Sequence, residues 1–466
     1  MFRTALLILS GNAATSLLLL ARNLTVAWLI PVADYGVAAT FAVAMAVVEM
    51  MSALGLQQQI IQAKQGDEPR FQAALQGFQV LRGIAAGAVL FLLAAPMAAF
   101  LGIPEAAWAY QVLAVVPVLN AAQHFDVHRL NRQMVFGPLI LSKAAPAILS
   151  LVALWPLARW FGDWQVMLWA ILVQAATGVV ASHLVARRPY RLLFDRTIMA
   201  QSFRFGWPLL VNGVLMFFVF QGDKLIVGRE LGTEALAIFA MGMTLTLTPT
   251  LVIAGSIGNF FLPQLVAARG DDPRFHHLAM VVIEAILAVG LLFVSAVVLA
   301  GGPVVFALLG EKYASLVPLL VPLAVMQAVR MAKAGPAIVA LALGHTGNAM
   351  VANLVRMLAI PAGWYVAATS GDLGLIIWVI ILGEIASQGT ALVLVARRSA
   401  LSWTDLSLPH LGLACPLLMA LVLPLTAGVP DAVVWLAFAS LVVSGLWTLR
   451  ALRRYITEWH RGGPRP

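Results

Sequence analysis

The composition of the 466-residue chain excludes a soluble fold. Hydrophobic residues make up 62% of the sequence and charged residues only 11%, whereas a typical soluble domain is about 45–50% apolar and about 25% charged. A soluble fold cannot bury that much apolar surface, so the net charge of +9 does not indicate a nucleic-acid partner. The single cysteine, Cys415, excludes an internal disulfide framework. We predict an all-α membrane protein that crosses the bilayer many times.

Apolar runs close to the length of a membrane-spanning helix recur along the whole chain. About 20 apolar residues cross a bilayer, and the first run is too long for a signal peptide. The runs predict fourteen spans, at 5–30, 36–62, 75–100, 107–125, 137–158, 164–186, 205–228, 235–265, 277–300, 313–341, 346–369, 373–396, 408–427 and 431–449.

The charged residues between these runs alternate in sign along the chain. Odd-numbered gaps are short and mostly acidic, whereas most even-numbered gaps and both ends are rich in arginine and lysine. Cytoplasmic loops of membrane proteins carry such a basic excess. The alternation therefore predicts that both termini are cytoplasmic.

The gaps leave no room for a soluble catalytic domain, because none is longer than about 20 residues. The eight histidines are scattered and form no pattern of metal ligands. No phosphate-binding loop motif is present. We predict a protein that is not an enzyme and has no metal site, no cofactor and no nucleic-acid partner.

An internal repeat divides the chain into two similar halves. The hexapeptide GDEPRF at 66–71 recurs as GDDPRF at 270–275, and residues 21–26 align with 222–227. Both hexapeptides follow a second span and precede a third. The repeat predicts two six-helix lobes that insert the same way up, as in parallel-repeat transporters. The predicted organisation is an N-lobe at 1–187, a cytoplasmic linker at 188–204, a C-lobe at 205–397, helices 13 and 14 at 405–449 and a basic tail at 450–466.

Four motifs resemble the oligosaccharide flippases, the Wzx-like polysaccharide transporters of the superfamily that also holds multidrug MATE exporters and lipid II flippases. They are Arg22-Asn23, Asp34-Tyr35-Gly36, Gly55-Leu56-Gln57 with Ile61-Gln62, and Gly222-Asp223-Lys224-Leu225 continuing to Gly232. The resemblance implies two lobes around a central cavity. It also implies an oligosaccharide carried on a polyprenyl diphosphate and passed from the inner to the outer leaflet.

Charged side chains inside the spans are the candidate site residues, because each costs at least about 2.5–3.5 kcal/mol at the centre of a bilayer. Arginine and lysine suit a diphosphate. The candidates for that group are Arg22, Lys224, Arg330 and Arg356, and the candidates for ion coupling or ion pairing are Glu49, Asp223, Glu284 and Glu384. Arg356 and Glu384 lie on adjacent predicted spans, so they form either part of the site or a structural clamp.

Other polar residues in the spans leave two interpretations open. Lys333 shares a helix face with Arg330 by its i,i+3 spacing, or it reaches back to the membrane surface. Arg22 and Lys224 either bind substrate or pair with Asp223 or Asp34. The candidate sugar contacts are Asn12, Asn120, Asn212 and Asn353. Such amides also serve as contacts between membrane helices.

Basic residues match or outnumber acidic residues within the spans, which favours an anionic substrate. The two-lobe repeat favours transport by alternating access. Membrane potential would assist export of an anion by about 2.3 kcal/mol per charge per 100 mV. The expected partners are the polyprenyl-diphosphate-linked glycan, membrane lipids, and the polymerase and glycosyltransferases of the same pathway. The alternatives are a cation-coupled multidrug exporter, which would need an acidic cavity, and a membrane glycan polymerase or ligase.

Overall fold

Helices make up most of the part of the chain that the structure describes. A computed structural model describes residues 2–51, 54–345, 347–399, 401–423 and 430–460, and the side chains of 2–10, 12, 51 and 459 lie outside this description. No β-strand occurs within these ranges. The all-α membrane fold predicted from the sequence is therefore confirmed.

The chain forms two compact units, Met1–Met241 and Gly242–Pro466. The helices that begin in the first unit are α1 Phe2–Leu29, α2 Val32–Met51, α3 Leu56–Gln62, α4 Pro69–Phe100, α5 Ala107–Leu113, α6 Val115–Ala122, α7 Asp126–Arg132, α8 Gly137–Trp160, α9 Gln165–Leu184, α10 Arg196–Glu230 and α11 Gly232–Ala267. The helices of the second unit are α12 Asp272–Leu309, α13 Val317–Ala332, α14 Ala334–Ala342, α15 Gly347–Met357, α16 Ala359–Ser370, α17 Leu373–Arg398, α18 Trp403–Val422, α19 Asp431–Trp447 and α20 Arg450–His460. Two 3₁₀ turns, Pro104–Ala106 and Glu311–Leu316, precede α5 and α13.

The structure does not confirm the exact count of fourteen predicted spans. Among the described residues, eleven helical segments are long and apolar enough to cross a membrane, and twelve if the bent pair α19–α20 is one span. The fourth predicted span is divided into the short helices α5 and α6. Pro117 lies in α6 and has no N–H to donate to the carbonyl of Leu113, one turn earlier. The described apolar part of α1, Ala13–Leu29, has 17 residues and is also shorter than a full span.

Glycines bring α2 and α10 into close backbone contact in the first unit. A Cβ atom at Gly206 would lie 2.1 Å from the carbonyl oxygen of Leu54, and one at Gly213 would lie 1.9 Å from that of Met50. A side chain larger than glycine would therefore clash at both positions. Small residues of this kind allow the backbones of membrane helices to approach one another closely. Because α10 packs along α2, the first unit continues beyond 188–204 to Met241. The two six-helix lobes remain a prediction.

The segment predicted as a linker at 188–204 is partly helical. Helix α10 begins at Arg196, because the carboxylate of Asp195 accepts hydrogen bonds from the backbone N–H groups of Thr197 and Ile198 at 3.0 and 3.3 Å. Arg70 donates a third hydrogen bond at 2.9 Å. The Arg70 contact and these N–H groups hold the pKa of Asp195 below its ordinary value. An ionised cap of this kind stabilises the first turn of a helix.

The two repeated hexapeptides span the starts of the long helices α4 and α12 but make different contacts. Asp271 caps α12 by accepting the N–H of Arg274 at 3.2 Å. Asp67, its counterpart before α4, instead accepts from Arg132 Nε at 3.1 Å and Gln133 Nε2 at 2.8 Å. Although desolvation raises the pKa of Asp67, these two hydrogen bonds lower it below its ordinary value. The first copy therefore ties the turn before α4 to the end of α7.

Helix α12 is the central element of the second unit. Its buried side chains pack with those of α13, α18 and α20 in a large apolar cluster. Glu284, midway along this buried face, accepts the backbone N–H of Leu452 in the first turn of α20 at 2.8 Å. Helix α20 is bent by 68° from α19. The buried carboxylate therefore anchors the terminal helix against the core of the unit.

The close contact between α2 and α10 gives a direct prediction about stability. Gly213→Ala should lower the free energy of unfolding by about 1–3 kcal/mol, because the added methyl overlaps the Met50 carbonyl and the backbones must separate. The measurement is the thermal unfolding midpoint of the purified full chain in detergent.

Gly255→Ala is the matched control for this substitution. Gly255 lies within α11, and a Cβ atom added there would have no neighbouring atom within 4 Å. Because alanine favours a helix over glycine by about 1 kcal/mol, this variant should unfold at the same temperature or higher. An unchanged midpoint for Gly213→Ala would contradict the close packing of α2 on α10.

Candidate functional site

Three basic side chains converge on one carboxylate in the second unit. Glu384 Oε1 lies 2.7 Å from Arg330 Nε and 3.2 Å from Arg356 Nε, and Glu384 Oε2 lies 2.6 Å from Lys333 Nζ. The side chains of Arg356 and Glu384 are fully buried, and those of Arg330 and Lys333 are 8% and 12% exposed. We call these four residues the cationic cluster.

The helices of this unit explain why the basic residues meet. Arg330 lies in the last turn of α13, and Arg356 lies in the last turn of α15. The carbonyl groups at the end of a helix carry partial negative charge, which favours a cation there. Lys333 separates α13 from α14 and follows Arg330 by three residues, so both point to the same side. Helix α17 packs against both α13 and α15 and brings Glu384 between them.

Neutral groups hold the lysine of the cluster in place. Lys333 Nζ donates to the hydroxyl of Ser387 at 3.1 Å, and this hydroxyl donates to the carbonyl oxygen of Ala352 at 2.7 Å. Ser387 lies on α17 three residues after Glu384, and Ala352 lies on α15. The ammonium group is therefore fixed between α13, α15 and α17 rather than free to reach the membrane surface.

A cavity of about 170 Å³ borders the cationic cluster at Lys333. Its polar lining consists of Lys333, Asn348 and Asn353, and the rest of the wall is formed by alanines and Pro336. Arg398 Nη1 donates to Asn348 Oδ1 at 2.5 Å and so fixes that amide. The cavity joins one cation of the cluster to two amides, which are groups that bind phosphate and hydroxyl oxygens.

The charge of the cluster is unbalanced among its own members. Arg330, Lys333 and Arg356 carry three positive charges against the single negative charge of Glu384, a formal net charge of +2. Buried charges are costly unless they are paired and hydrogen-bonded. Within this set of four, the basic groups outnumber the acidic one, which favours an anionic ligand over a cationic ligand.

The candidate residues on α1 and α10 lie in the first unit, away from this cluster in the sequence. Arg22 on α1 donates from Nη1 to Gln174 Oε1 on α9 and, at 3.5 Å, from Nη2 to Asn23 Oδ1. Asp223 is buried and Lys224 is half-buried on α10. Both of these hydrogen bonds of Arg22 go to amide oxygens.

Two of the predicted acidic residues do not belong to the cationic cluster. Glu284 accepts the N–H of Leu452 and anchors α20, so its contact is with a helix end rather than with the arginines of the cluster. Glu49 is exposed on α2 in the first unit, where Arg82 of α4 is its charged neighbour. Glu384, by contrast, contacts Arg330 and Arg356 through the ion pairs given above.

The predicted sugar-binding amides have different surroundings. Asn353 lines the cavity next to Lys333, whereas Asn120 Oδ1 accepts a hydrogen bond from Gln123 Nε2 at 3.2 Å in the first unit. Asn212 is exposed on α10. The side chain of Asn12 lies outside the described residues. Asn353 is therefore the amide that the structure associates with the cluster.

Sequence reasoning omitted Lys333 and Asn348 from the site. The sequence leaves Lys333 either on the face of Arg330 or extended to the membrane surface, and in the structure its ammonium group contacts Glu384. The i,i+3 spacing from Arg330 was the available signal. Asn348 has no comparable spacing to another site residue. Its place at the cavity wall depends on how the helices pack. Within the ranges that the structure describes, no group of histidine, cysteine and acidic side chains could hold a metal ion.

The cationic cluster predicts a large stability effect at Glu384. Glu384→Gln should destabilise the protein by about 3–5 kcal/mol, because three buried cations lose their common anion. The thermal unfolding midpoint of the purified chain measures this change. Glu384→Gln combined with Lys333→Met should recover part of the loss, since one of the repelling cations is removed.

Glu49→Gln is the matched control, as Glu49 is an exposed acid within a predicted span. Its midpoint should stay close to that of the original chain. Equal effects of Glu49→Gln and Glu384→Gln, or no recovery in the double variant, would contradict the role of Glu384 as the shared anion.

The fold resembles those of two groups of solved membrane transporters. The lipid II flippase MurJ in an inward closed conformation aligns with a TM-score of 0.70 at 12% identity, over 97% of this chain and 98% of MurJ. A multidrug resistance MATE family transporter of the MOP superfamily, in an inward-facing conformation, aligns with a TM-score of 0.64 at 16% identity, over 82% of this chain and 94% of that one. The fold of this chain is therefore similar to the folds of these transporters.

Sequence comparison gives the family of the chain. The succinoglycan biosynthesis transport protein ExoT of Rhizobium meliloti (strain 1021) is 22% identical over 372 residues, which are 78% of this chain and 75% of ExoT. The family model described as polysaccharide biosynthesis protein matches residues 25–318. This match covers more than half of the sequence, and the chain therefore belongs to the polysaccharide biosynthesis protein family.

Proposed function

We propose that the protein flips an oligosaccharide linked to a polyprenyl diphosphate from the inner to the outer leaflet of the bacterial inner membrane, by alternating access, for export of a surface polysaccharide. The observation that carries this proposal is the cationic cluster beside a cavity in the second unit. The proposal is also supported by the family of the chain, by its similarity to the transport protein ExoT, and by the similarity of its fold to that of the flippase MurJ.

The charge of the cluster matches a diphosphate headgroup. A formal net charge of +2 among the four residues can be balanced by an anion with two or more negative charges. Guanidinium groups bind phosphate oxygens through several N–H donors, and a lysine adds a compact positive charge. Lys333 is the cluster member that lines the cavity, so we infer that it meets the diphosphate first.

Glu384 would then act as an internal substitute for the substrate anion. In the absence of substrate it holds Arg330, Lys333 and Arg356 close together. A diphosphate that approaches Lys333 competes with this carboxylate for the same cations. Such competition allows binding and release, because the cations keep a partner in both states and never bear the full cost of unpaired burial.

The glycan and the lipid tail would use other parts of the protein. Asn348 and Asn353 line the cavity beyond Lys333 and offer amide groups to sugar hydroxyls. The polyprenyl tail would remain in the bilayer, where a shallow depression of about 480 Å³ along α19 is lined by small and apolar residues and by Trp447. With cytoplasmic termini and a negative interior, the membrane potential would favour outward movement of the anion. A polymerase and glycosyltransferases would supply and consume the glycan.

The two alternative functions make different demands on the site. A multidrug exporter for cations would need an acidic cavity, and the cationic cluster has the opposite charge. A polymerase or ligase of the same glycan would need acidic residues positioned for general acid or base chemistry. Among the described residues around the cavity, the polar groups are a lysine and two amides.

The proposal is tested in vesicles that contain the purified full chain. A fluorescent undecaprenyl-diphosphate-linked disaccharide is placed in both leaflets, and a membrane-impermeant chemical quencher reports the fraction that becomes accessible from outside. Vesicles with the protein should expose nearly all of the label, whereas protein-free vesicles should expose about half. Equal exposure in both, or transport of a cationic dye instead, would overturn the proposal.

The position of Lys333 predicts a transport defect that is separable from a folding defect. Lys333→Gln should reduce the initial flipping rate by about tenfold or more, since a charge-assisted contact with phosphate contributes roughly 1.5–3 kcal/mol. Lys333→Arg should retain most of the rate, because it keeps the positive charge. The vesicle assay measures each rate at matched amounts of folded protein.

Arg159→Gln serves as the control for loss of one positive charge. Arg159 is exposed in the last turn of α8 in the first unit, so this variant should flip at the original rate. A full rate in Lys333→Gln, or an equal loss in Arg159→Gln, would show that the cluster does not contact the transported anion.

A further inference from the structure

Helix α20 has features that the proposed transport function does not use. Its sequence, RALRRYITEWH, places the apolar residues on one face of the helix and the polar residues on the other. It is too polar to cross a membrane, and it leaves the direction of α19 at an angle of 68°. If α19 stands along the membrane normal, α20 lies close to the membrane plane.

One face of α20 is bound to the protein. Ala451, Leu452 and Tyr455 pack against the apolar cluster of the second unit, and the ring of Tyr455 lies 5.9 Å from that of Phe261. Glu284 of α12 accepts the N–H of Leu452 at 2.8 Å. The orientation of α20 is therefore fixed from the inside, so its outer face is presented in one defined direction.

The outer face of α20 carries a row of arginines. Arg450, Arg453 and Arg454 are exposed and are followed by the exposed Thr457, at the i, i+3, i+4 and i+7 spacing of one helix face. Glu458 is the acidic residue of this helix, and it lies at the edge of that face. The row is thus a strip of positive charge that no acidic side chain on α20 interrupts.

An aromatic residue marks the level of this strip relative to the membrane. The guanidinium carbon of Arg453 lies 4.2 Å from the ring centroid of Trp447, the last residue of α19. The Trp447 side chain is 69% exposed. Exposed tryptophans at the ends of spans lie at the level of lipid headgroups. A guanidinium stacked on such a ring occupies the same level as lipid phosphate groups.

We propose that α20 is a binding site for anionic phospholipid headgroups, in which Arg450, Arg453 and Arg454 contact the lipid phosphates and Trp447 lies at the border of the acyl region. Basic amphipathic helices in the membrane plane bind anionic lipid through both apolar contact and charge. Because Glu284 fixes α20 to α12, bound lipid stabilises the core of the second unit. This inference does not depend on the transported substrate.

The test uses the purified full chain in detergent, with dioleoyl phosphatidylglycerol and dioleoyl phosphatidylcholine as probes. Native mass spectrometry measures how many of each lipid remain bound. The triple variant R450Q/R453Q/R454Q should retain phosphatidylglycerol about tenfold more weakly than the original chain, since each arginine contributes a few-fold to binding of an anionic lipid. Retention of phosphatidylcholine should not change.

The triple variant R191Q/R196Q/R204Q is the matched control. It removes three exposed arginines from the segment around the start of α10, so the change in net charge is identical. Its affinity for phosphatidylglycerol should stay within about twofold of the original. Equal losses in the two triple variants would overturn the proposal and indicate attraction by net charge alone.

A second measurement places α20 at the headgroups without removing any arginine. Cys415→Ser removes the native, exposed cysteine, and Thr457→Cys then carries a fluorophore on the outer face. Lipids with a nitroxide on the headgroup should quench this label strongly, and lipids with a nitroxide deep in the acyl chain should quench it weakly. A label at Ser440→Cys in α19 should show the opposite order. Equal quenching of the two labels by both lipids would contradict an interfacial α20.

Discussion

The attraction of three buried cations to one carboxylate is the constraint on which the second unit depends. Glu384 on α17 lies within 3.2 Å of a nitrogen atom of each cation. Arg330 belongs to α13, Lys333 follows that helix, and Arg356 belongs to α15. In a lipid environment the hydrophobic effect does little to fix the relative position of apolar helices, because lipid tails are as apolar as leucine. A shared carboxylate removes this freedom, since any displacement separates a buried charge from its partner.

The same contacts leave the unit ready for an anionic ligand. Three basic residues share one carboxylate in this cluster, so its formal charge is positive. Lys333 connects this excess charge to the cavity that also contains Asn348 and Asn353. Structural stability and substrate binding therefore rest on the same side chains, and the proposed exchange of Glu384 for a diphosphate links them.

The sequence predicted the elements of this arrangement that depend on local spacing. The sequence places Arg356 and Glu384 on adjacent spans, where they can pair, and it places Arg330 and Lys333 on one helix face because they are three residues apart. The meeting of these two pairs was not predictable, since it depends on how α17 packs against α13 and α15. Glu284 was assigned to coupling for a related reason. Its partner is a backbone N–H of α20, and a backbone group leaves no signature in a sequence.

Helix boundaries show the same division between local and long-range information. Asp195 begins α10 earlier than the apolar run suggested, and Pro117 divides the fourth predicted span. Both are local signals that hydropathy averages out over a window of a full span. The close contact of Gly213 with Met50 is different, because a glycine in an apolar run identifies no partner until the opposing helix is known.

The most direct test of the account is the affinity of the purified chain for undecaprenyl diphosphate, compared with uncharged undecaprenol, in lipid nanodiscs. The two ligands share a tail and differ in the headgroup that the cationic cluster is proposed to bind. The account predicts that the diphosphate binds at least about tenfold more tightly, as one charge-assisted contact requires, and that Lys333→Gln reduces this difference. Equal affinities for the two ligands in the original chain would contradict it.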